Sequence, residues 1–180
     1  MHTIETRTIS SRKFLALKET VYEDRNGGEK RWDWVQRTGK QNAVVIAATV
    51  GDNLVLIKEY RVPLGGYIYE LPAGLIDQGE TPVEAGLREF HEETGLTILK
   101  VSEVSPLVCN SPGLSDESVY LMFAEATGTV SKSKHEASED IEVMVYSRAA
   151  VQDLMTDPDV KIGAKAWLVL REFVKYGKII

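Results

Sequence analysis

The chain has 180 residues, 43% of them hydrophobic and 27% charged, which favours one folded domain and excludes general disorder. Its 27 acidic and 21 basic residues give a formal net charge of −6, which argues against nonspecific binding to nucleic acid or anionic membranes. The single cysteine, Cys109, cannot form an internal disulfide, and the first residues lack the basic-then-apolar pattern of a signal peptide. We therefore expect a cytoplasmic protein.

Before residue 75 the sequence predicts a series of strands separated by turns. Two strands alternate apolar and polar residues and are joined by Asn26-Gly27-Gly28, a sequence typical of tight hairpin turns. Two later runs are more continuously apolar and are joined by Gly51-Asp52, which predicts a buried pair of strands. The five predicted strands span residues 14–22, 31–37, 42–49, 53–60 and 67–71.

A helix is predicted next, because Thr81-Pro82 is a start signal and Gly95 is a stop signal. The polar stretch 127–139 is predicted to be a loop. Helices embedded among antiparallel strands predict an α+β fold or an α/β/α sandwich in one domain. The remaining predicted strands span residues 98–108, 118–124 and 141–146, and the remaining predicted helices span residues 148–155 and 161–176.

The predicted helix carries a row of carboxylates. Glu89, Glu92 and Glu93 are spaced i, i+3, i+4, so they share one face of a helix with about 100° per residue. Such carboxylates repel one another, and they are the hard oxygen ligands that Mg²⁺ and Mn²⁺ prefer. The row therefore predicts a divalent metal site, with a solvated helix face as the alternative. The opposite, apolar face is predicted to contain Val83, Leu87, Phe90 and Thr94.

The spacing around this helix is more specific than its composition. Gly74, five residues, Glu80, seven residues and the run Arg88-Glu89-Phe90-His91-Glu92-Glu93-Thr94-Gly95-Leu96 together resemble the Nudix box of the Nudix hydrolase family, without mismatch. The resemblance implies an α/β fold, the Nudix α/β/α sandwich with an N-terminal antiparallel β extension. It also implies hydrolysis of a nucleoside diphosphate linked to another moiety. Residues 1–40 would form the extension, used for dimerisation and base binding, and residues 41–180 the Nudix hydrolase domain.

The resemblance also implies roles for residues of the box. Divalent cations, Mg²⁺ first and Mn²⁺ as the alternative, would bridge the box carboxylates and the pyrophosphate. Arg88 and Glu92 are the predicted catalytic residues of the box, with Arg88 orienting its neighbours through charge-assisted hydrogen bonds. Glu80 is interpreted as a favourable charge at the start of the helix rather than as a primary ligand. The predicted metal ligands are the carbonyl of Ala73 and the carboxylates of Glu89, Glu92 and Glu93.

Flanking segments resemble the ADP-ribose pyrophosphatases and related nucleotide-sugar hydrolases of this family. Ser111-Pro112-Gly113-Leu114-Ser115-Asp116-Glu117 follows the box, with Pro112 sixteen residues after Leu96. Glu59-Tyr60-Arg61 and Glu70-Leu71-Pro72-Ala73-Gly74 also resemble that subgroup. An ordinary turn is the alternative interpretation of Ser-Pro-Gly. The predicted substrate-binding residues are Trp32, Arg37, Arg61, Glu70, Ser111, Gly113 and Leu114.

The predicted substrate-binding residues include tryptophan and arginine side chains suited to a base and to phosphate. Trp32 and Trp34 lie two residues apart on a strand and share a sheet face, where they either pack in a core or stack on a purine. Trp32 is the closer match to the base-stacking aromatic residue of the subgroup. Arg37 and Arg61 are expected to contact the pyrophosphate or the terminal ribose, since guanidinium matches phosphate bidentately. In the subgroup the N-terminal strands are exchanged or packed across a homodimer, so we expect a homodimer.

The general base is expected in the segment 132–142, because in this subgroup it often comes from a loop after the box. Glu139 and Glu136 are the candidates, and solvated loop residues are the alternative interpretation. His135 is interpreted as a surface residue.

The sequence favours a Mg²⁺-dependent hydrolase of nucleoside diphosphate sugars, with ADP-ribose as first substrate and GDP-mannose as second. A dinucleoside-polyphosphate or RNA-cap hydrolase of the same family is the enzyme alternative. A Nudix-fold ligand sensor without catalysis is the alternative of another class, although such proteins usually lose box glutamates that this chain keeps. A non-Nudix metal-binding helix is the last alternative. We expect a nucleotide-sugar substrate, and neither nucleic acid nor membrane, as the partner.

Overall fold

The computed structural model describes residues 1–39, 41–131 and 140–179. The chain separates into two compact units. The first comprises Met1–Asn42 and Leu107–Val119, and the second comprises Ala43–Pro106 and Tyr120–Ile180. The Ser-Pro-Gly segment therefore belongs to the same unit as the N-terminal strands. The separate functional roles of residues 1–40 and 41–180 stay a prediction.

The first unit is built on a three-stranded antiparallel sheet. Its strands are β1 (His2–Ser11), β2 (Leu15–Glu23) and β3 (Glu29–Arg37), in the order β1-β2-β3. The predicted strands 14–22 and 31–37 are confirmed as β2 and β3, but β1 was not predicted. All ten residues of β1 are exposed, so no buried apolar position marks this strand in the sequence. Backbone pairing with β2 explains the strand, not an alternation of buried side chains.

The predicted turn between β2 and β3 is confirmed. The carboxylate of Asp24 accepts hydrogen bonds from the N–H groups of Gly28 and Asn26, each at 2.9 Å. These two bonds hold the pKa of Asp24 below its ordinary value. Gly27 has a φ of 78°, a left-handed conformation that glycine adopts without steric cost.

The second unit is built on a larger sheet. Its elements are β4 (Ala43–Val50), β5 (Asn53–Arg61), a 3₁₀ turn (Val62–Leu64), β6 (Gly66–Glu70), β7 (Ala73–Leu75), α1 (Pro82–Thr94), β8 (Thr97–Val104), most of β10 (Ser118–Thr127), β11 (Ile141–Tyr146), α2 (Arg148–Thr156) and α3 (Ala164–Tyr176). A short strand of the first unit, β9 (Val108–Cys109), pairs with the first two residues of β10. The sheet has the order β11-β5-β4-β10-β8, with β6 paired to β5 and β7 paired to β4. The predicted elements are confirmed apart from shifts at their ends, whereas β7 was not predicted and the predicted strand 98–108 is divided into β8 and β9.

The two faces of β4 are covered by different helices. On one face Val44, Ile46 and Ala48 belong to the buried core, together with Ala85 and Phe90 of α1. On the other face Val45 and Ala47 line an apolar cavity of about 210 Å³ with Leu168 and Val169 of α3. Since successive side chains of a strand point to opposite faces, the arrangement is a helix–sheet–helix sandwich. The predicted α/β fold class is confirmed.

The face that α1 buries differs from the prediction at one position. Leu87 was expected on the apolar face, but it is 40% exposed, whereas Ala85 and Phe90 are fully buried. A Cβ atom at Gly86 would lie 2.5 Å from Cε of Met122, so the helix approaches the sheet most closely at a glycine. The prediction for Leu87 was wrong because small residues, not large ones, form this contact.

Both ends of α1 lie where the sequence predicts them. The Thr81 hydroxyl accepts a hydrogen bond from the Glu84 N–H at 3.2 Å, and the Glu84 carboxylate accepts one from the Thr81 N–H at 2.8 Å. This reciprocal capping box fixes the first turn. Gly95, with a φ of 73°, ends the helix. None of the helices in the described parts of the chain has the length and apolarity that a membrane span requires.

Candidate active site

Arg88 connects several parts of the second unit. Its Nε and Nη2 atoms donate to the two carboxylate oxygens of Glu80 at 2.9 and 2.8 Å, and Nη2 also donates to the carbonyl of Leu75 at 3.1 Å. Its Nη1 atom lies 2.9 Å from Glu89 Oε1 and 3.4 Å from Glu92 Oε2. The guanidinium therefore joins β7, the loop before α1 and two of the predicted metal ligands.

The bond to Arg88 sets the charge state of Glu80. Hydrogen bonds from Arg88, and then from the backbone N–H of Asp77, lower the pKa of Glu80 to about 2. The pKa of Arg88 is raised in turn, and its hydrogen bond to Glu80 is the largest cause. The interpretation of Glu80 as a charge at the start of the helix is therefore incomplete, because its main partner is the arginine two turns further along.

Glu89 packs directly against the strand that precedes the helix. A Cβ atom at Gly74 would lie 1.9 Å from Glu89 Cδ and 2.3 Å from its Oε1, so only glycine leaves room for this carboxylate. Burial raises the pKa of Glu89, while the hydrogen bond and charge of Arg88 act in the opposite direction. The charge of Glu92 raises this pKa further. Because burial disfavours the ionised form of Glu89, a bound cation would stabilise that form.

Glu93 is the most shielded carboxylate of the predicted metal site. It is 9% exposed, and its Oε2 atom accepts a hydrogen bond from the Ala73 N–H at 3.1 Å. This bond fixes the residue whose carbonyl is also a predicted ligand. In the described ranges, no three acidic, histidine or cysteine side chains already surround one metal position.

The donor set nevertheless fits a divalent cation. The predicted ligands are all oxygens, which suit Mg²⁺ and Mn²⁺, and burial raises the pKa of Glu89, so a cation at this place would favour its charged form. The space that Gly74 leaves is occupied by the Glu89 side chain, whose carboxylate points to this place. The roles of Ala73, Glu89, Glu92 and Glu93 as metal ligands stay predictions.

Arg61 and Glu70, both predicted to bind substrate, are hydrogen-bonded to each other. Arg61 Nε donates to Glu70 Oε2 at 2.7 Å. Burial acts to lower the pKa of Arg61, but the hydrogen bond and charge of Glu70 outweigh it, and the pKa is raised. Glu59 is a second partner of Arg61. The sequence points to Glu59 only within Glu59-Tyr60-Arg61 and predicts no role for it, because its contact with Arg61 depends on the conformation of β5.

Ser131, the last described residue before residues 132–139, contacts the end of α1. The N–H of Ser131 donates to the carbonyl of Thr94 at 3.0 Å. A Cβ atom at Gly95 would lie 2.2 Å from Ser131 Oγ and 2.7 Å from its backbone nitrogen. Gly95 is therefore required twice, by its left-handed backbone and by the close approach of Ser131.

Glu136 and Glu139, the candidate general bases, and His135 lie outside the described residues. Asp140 directly follows this segment, and its carboxylate accepts a short hydrogen bond from the hydroxyl of Tyr67. This bond raises the pKa of Tyr67.

In the first unit the two tryptophans of β3 differ in their surroundings. The indole N–H of Trp32 donates to the carbonyl of Gly113 at 3.3 Å, while the ring remains 52% exposed. The indole N–H of Trp34 donates to the hydroxyl of Thr20 at 2.8 Å, and its ring is partly buried. Both rings line a cavity of about 620 Å³. Trp32 is thus the ring with a free face, whereas Trp34 is tied into the sheet.

Segment 111–117 is fastened to β3. Besides the bond from Trp32 to Gly113, three hydrogen bonds join them, from the Val35 N–H to the Leu114 carbonyl (2.8 Å), from Gln36 Nε2 to Asp116 Oδ2 (2.6 Å) and from Arg37 Nη2 to Glu117 Oε1 (3.0 Å). The Nε atom of Arg37 is buried and has no hydrogen-bond partner among the described residues. Sequence reasoning missed these acidic partners, because no motif signals which residues meet across the unit.

The predicted site residues fall into two groups. Trp32, Arg37, Ser111, Gly113 and Leu114 lie in the first unit, and Arg61, Glu70, Ala73, Arg88, Glu89, Glu92 and Glu93 lie in the second.

The chain is similar to known proteins over most of its length. It is 32% identical over 176 residues to the ADP-sugar pyrophosphatase of Mus musculus, a match that covers 90% of this chain and 78% of that protein. It is 35% identical over 169 residues to the ADP-ribose pyrophosphatase of Bacillus subtilis (strain 168), covering 93% and 89%. A crystal structure of an ADP compounds hydrolase matches it with a TM-score of 0.79 and 25% identity, covering 96% of this chain and 93% of that one. The NUDIX domain profile matches residues 39–167, so the chain belongs to the NUDIX domain family.

Proposed function

We propose that this protein is a hydrolase that uses a divalent cation, Mg²⁺ in the cell, to cleave the pyrophosphate bond of nucleoside diphosphate sugars, with ADP-ribose as its first substrate. The observation that carries the proposal is the set of box carboxylates fixed by Arg88 and by the Ala73 N–H. The similar proteins are named as pyrophosphatases of ADP-sugar and ADP-ribose, which supports the choice of substrate. The products would be a nucleoside monophosphate and a sugar phosphate.

Pyrophosphate hydrolysis depends on neutralising charge and aligning a water molecule, more than on a protein nucleophile. A divalent cation held by Glu89, Glu92, Glu93 and the Ala73 carbonyl would polarise the phosphoryl oxygens and lower the pKa of the attacking water. The water oxygen would form a bond to one phosphorus atom while the bond between that phosphorus and the bridging oxygen breaks, and the bridging oxygen would keep the electron pair and leave with the other phosphate. Glu139 or Glu136 is the proposed acceptor of the water proton.

The side chains of the chain prepare this site before any cation binds. Arg88 holds Glu89 and Glu92 on one side of α1, and Glu93 holds the strand that carries Ala73. Because these side chains are already restrained, little rotamer freedom would be lost when a cation and a pyrophosphate bind.

The first unit would supply recognition of the base. We infer that Trp32 stacks on a purine through its open face, that Arg37 contacts phosphate, and that the protein acts as a homodimer in the cytoplasm. The exposed strand β1, with Ile4 and Ile9 half-exposed, supports a second copy as the partner of this surface. Sedimentation of a monomer at assay concentration would contradict the dimer.

The substrate proposal is tested by product release from ADP-ribose, GDP-mannose, UDP-glucose and diadenosine polyphosphates, each with Mg²⁺ and with EDTA. We expect ADP-ribose to be cleaved fastest, with loss of activity in EDTA. Faster cleavage of diadenosine polyphosphates would favour the alternative enzyme class. Binding of ADP-ribose without hydrolysis would favour the sensor, and activity unchanged by EDTA would overturn the metal site.

The proposed base is tested by Glu139→Gln and Glu136→Gln. We expect one of them to lower kcat by about 100-fold or more with little change in KM, because general-base catalysis typically contributes that much. Glu103→Gln, an exposed position on β8, serves as the matched control. If neither variant lowers kcat, the base lies elsewhere.

A further inference from the structure

Arg61, the last residue of β5, is held between two carboxylates. Its Nε atom donates to Glu70 Oε2 and its Nη1 atom donates to Glu59 Oε1, both at 2.7 Å. The side chains of Glu59 and Glu70 are 13% and 23% exposed, whereas that of Arg61 is 44% exposed. Two largely buried carboxylates thus hold the guanidinium, while part of the Arg61 side chain is exposed to solvent.

The solvent-facing part of Arg61 still has donors. A guanidinium has five N–H groups in one plane, and the two carboxylates use Nε and Nη1. Among the described residues, Nη2 makes no hydrogen bond. Since two fixed bonds define the plane of the group, the direction of the remaining N–H groups is also defined.

The carboxylate of Glu70 lies close to the backbone at the start of α3. A Cβ atom at Gly163, the residue before α3, would lie 3.2 Å from Glu70 Oε1 and 3.3 Å from its Cγ. The N–H of Gly163 donates to the carbonyl of Tyr69 at 2.9 Å, which holds the start of α3 against β6. Glu59 is fixed through its backbone, because it lies opposite Ile68 of β6 and Ile141 of β11.

The charges around Arg61 favour directed hydrogen bonds over long-range attraction. Glu59 and Glu70 together outweigh the single positive charge of Arg61, and the charge of Glu93 also acts on it. An anion approaching this cluster gains little from net charge, so its binding depends on aligned donors.

We propose that Glu59 and Glu70 are positioning residues that aim the Nη2 edge of Arg61 at a phosphate oxygen of the substrate. The proposal assigns a role to Glu59 and changes that of Glu70 from substrate contact to support of Arg61. It rests on the proposed function.

The test is a double-mutant cycle of Glu59→Ala and Arg61→Ala. It measures kcat and KM for ADP-ribose with Mg²⁺, and the Kd of ADP-ribose in EDTA by calorimetry. We expect each single variant to raise KM and Kd about tenfold, the usual range for a lost charge-assisted hydrogen bond, with kcat changed by less than about twofold. The double variant should behave as Arg61→Ala does, because the proposed effect of Glu59 on substrate binding runs through Arg61. Glu59→Gln should recover part of the loss, since its amide oxygen still accepts a hydrogen bond.

The matched control is Glu125→Gln, which removes an exposed carboxylate from strand β10, where it pairs with Lys100 at 3.5 Å. It should leave KM and Kd unchanged. The proposal is overturned if Glu59→Ala leaves KM unchanged. It is also overturned if Glu59→Ala raises KM by the same factor in the Arg61→Ala variant as in the wild-type protein. If melting curves show that Glu59→Ala does not fold, Glu59→Gln with and without Arg61→Ala makes the same comparison. Failure of the wild-type protein to cleave ADP-ribose overturns the proposed function instead, and the Kd cycle then still decides the role of Glu59.

Discussion

Arg88 on α1 and Arg61 on β5 are both surrounded by glutamates, yet they use their donors differently. All three nitrogens of Arg88 contact protein oxygens, those of Glu80, Glu89, Glu92 and the Leu75 carbonyl. Arg61 uses two nitrogens, and its side chain is more exposed than that of Arg88, 44% against 30%.

The difference shows how two arginines of one site can have different functions. An arginine whose donors all meet protein oxygens has no hydrogen bond to offer a ligand, so Arg88 acts by holding carboxylates. An arginine with an unused edge can hold a carboxylate and still bind a phosphate, as proposed for Arg61. Variants of the two networks should therefore separate kcat from KM.

The largest effect is expected for Arg88→Ala. The variant leaves Glu89 and Glu92 unrestrained, so kcat should fall about 10- to 100-fold and the Mg²⁺ concentration for half-activation should rise, as for residues that orient metal ligands. Steady-state assays at several Mg²⁺ concentrations measure both quantities. Lys100→Ala, which removes an exposed cation paired with Glu125, is the control. A rise of KM alone would place Arg88 in the same class as Arg61.

The next effect is expected for Arg61→Lys. Lysine carries one ammonium group, which cannot reproduce the planar contacts to Glu59 and Glu70, so KM should rise about fivefold while kcat stays near the wild-type value. Initial rates over a range of ADP-ribose concentrations measure this split. A fall of kcat with constant KM would contradict the difference between the two arginines.

A smaller effect concerns the pH dependence of stability through Glu80. The folded-state pKa of Glu80 is about 2 and its ordinary value is 4.5, so its bond to Arg88 stabilises the fold fully above pH 4.5. That stabilisation is lost as the pH falls from 4.5 towards 2. Glu80→Gln should therefore lower Tm at pH 7, and the gap to wild type should close below pH 4.5. Glu125→Gln is the control, and a gap that widens in acid would contradict the assignment.

The smallest effect is expected for Gly163→Ala. The added Cβ would press on Glu70 at 3.2 Å and shift it slightly, so KM should rise about twofold with no change in kcat. Gly66→Ala on β6, where the nearest atom would be 3.6 Å away, is the matched control. Equal KM values for both variants would show that Glu70 tolerates displacement.

Local signals explain why so much of the second unit could be predicted. Thr81, Pro82 and Gly95 determine the ends of α1 through caps that involve only neighbouring residues, and the structure has the helix at Pro82–Thr94. Strand β1 has no such signal, because its ten exposed residues depend on pairing with β2. The buried face of α1 was misassigned at Leu87, since helical spacing does not reveal that Gly86 is the point of closest approach.

In the candidate site, too, some contacts could be predicted from the sequence and others could not. The resemblance to the Nudix box implied that Arg88 would orient box glutamates, and Arg88 contacts Glu89 and Glu92. Its stronger bond to Glu80, and the partnership of Glu59 with Arg61, depend on where loops and strands end in three dimensions. No pattern in the sequence carries that information.

The contact between Gly95 and Ser131 links two positions that are 36 residues apart in the numbering. Any side chain at position 95 would occupy the place of Ser131, so a substitution there is tolerated only if the chain near residue 131 takes another course. The two positions are therefore expected to vary together during evolution. A chimera that exchanges the segment after β10 with that of a relative should carry the end of α1 along with it.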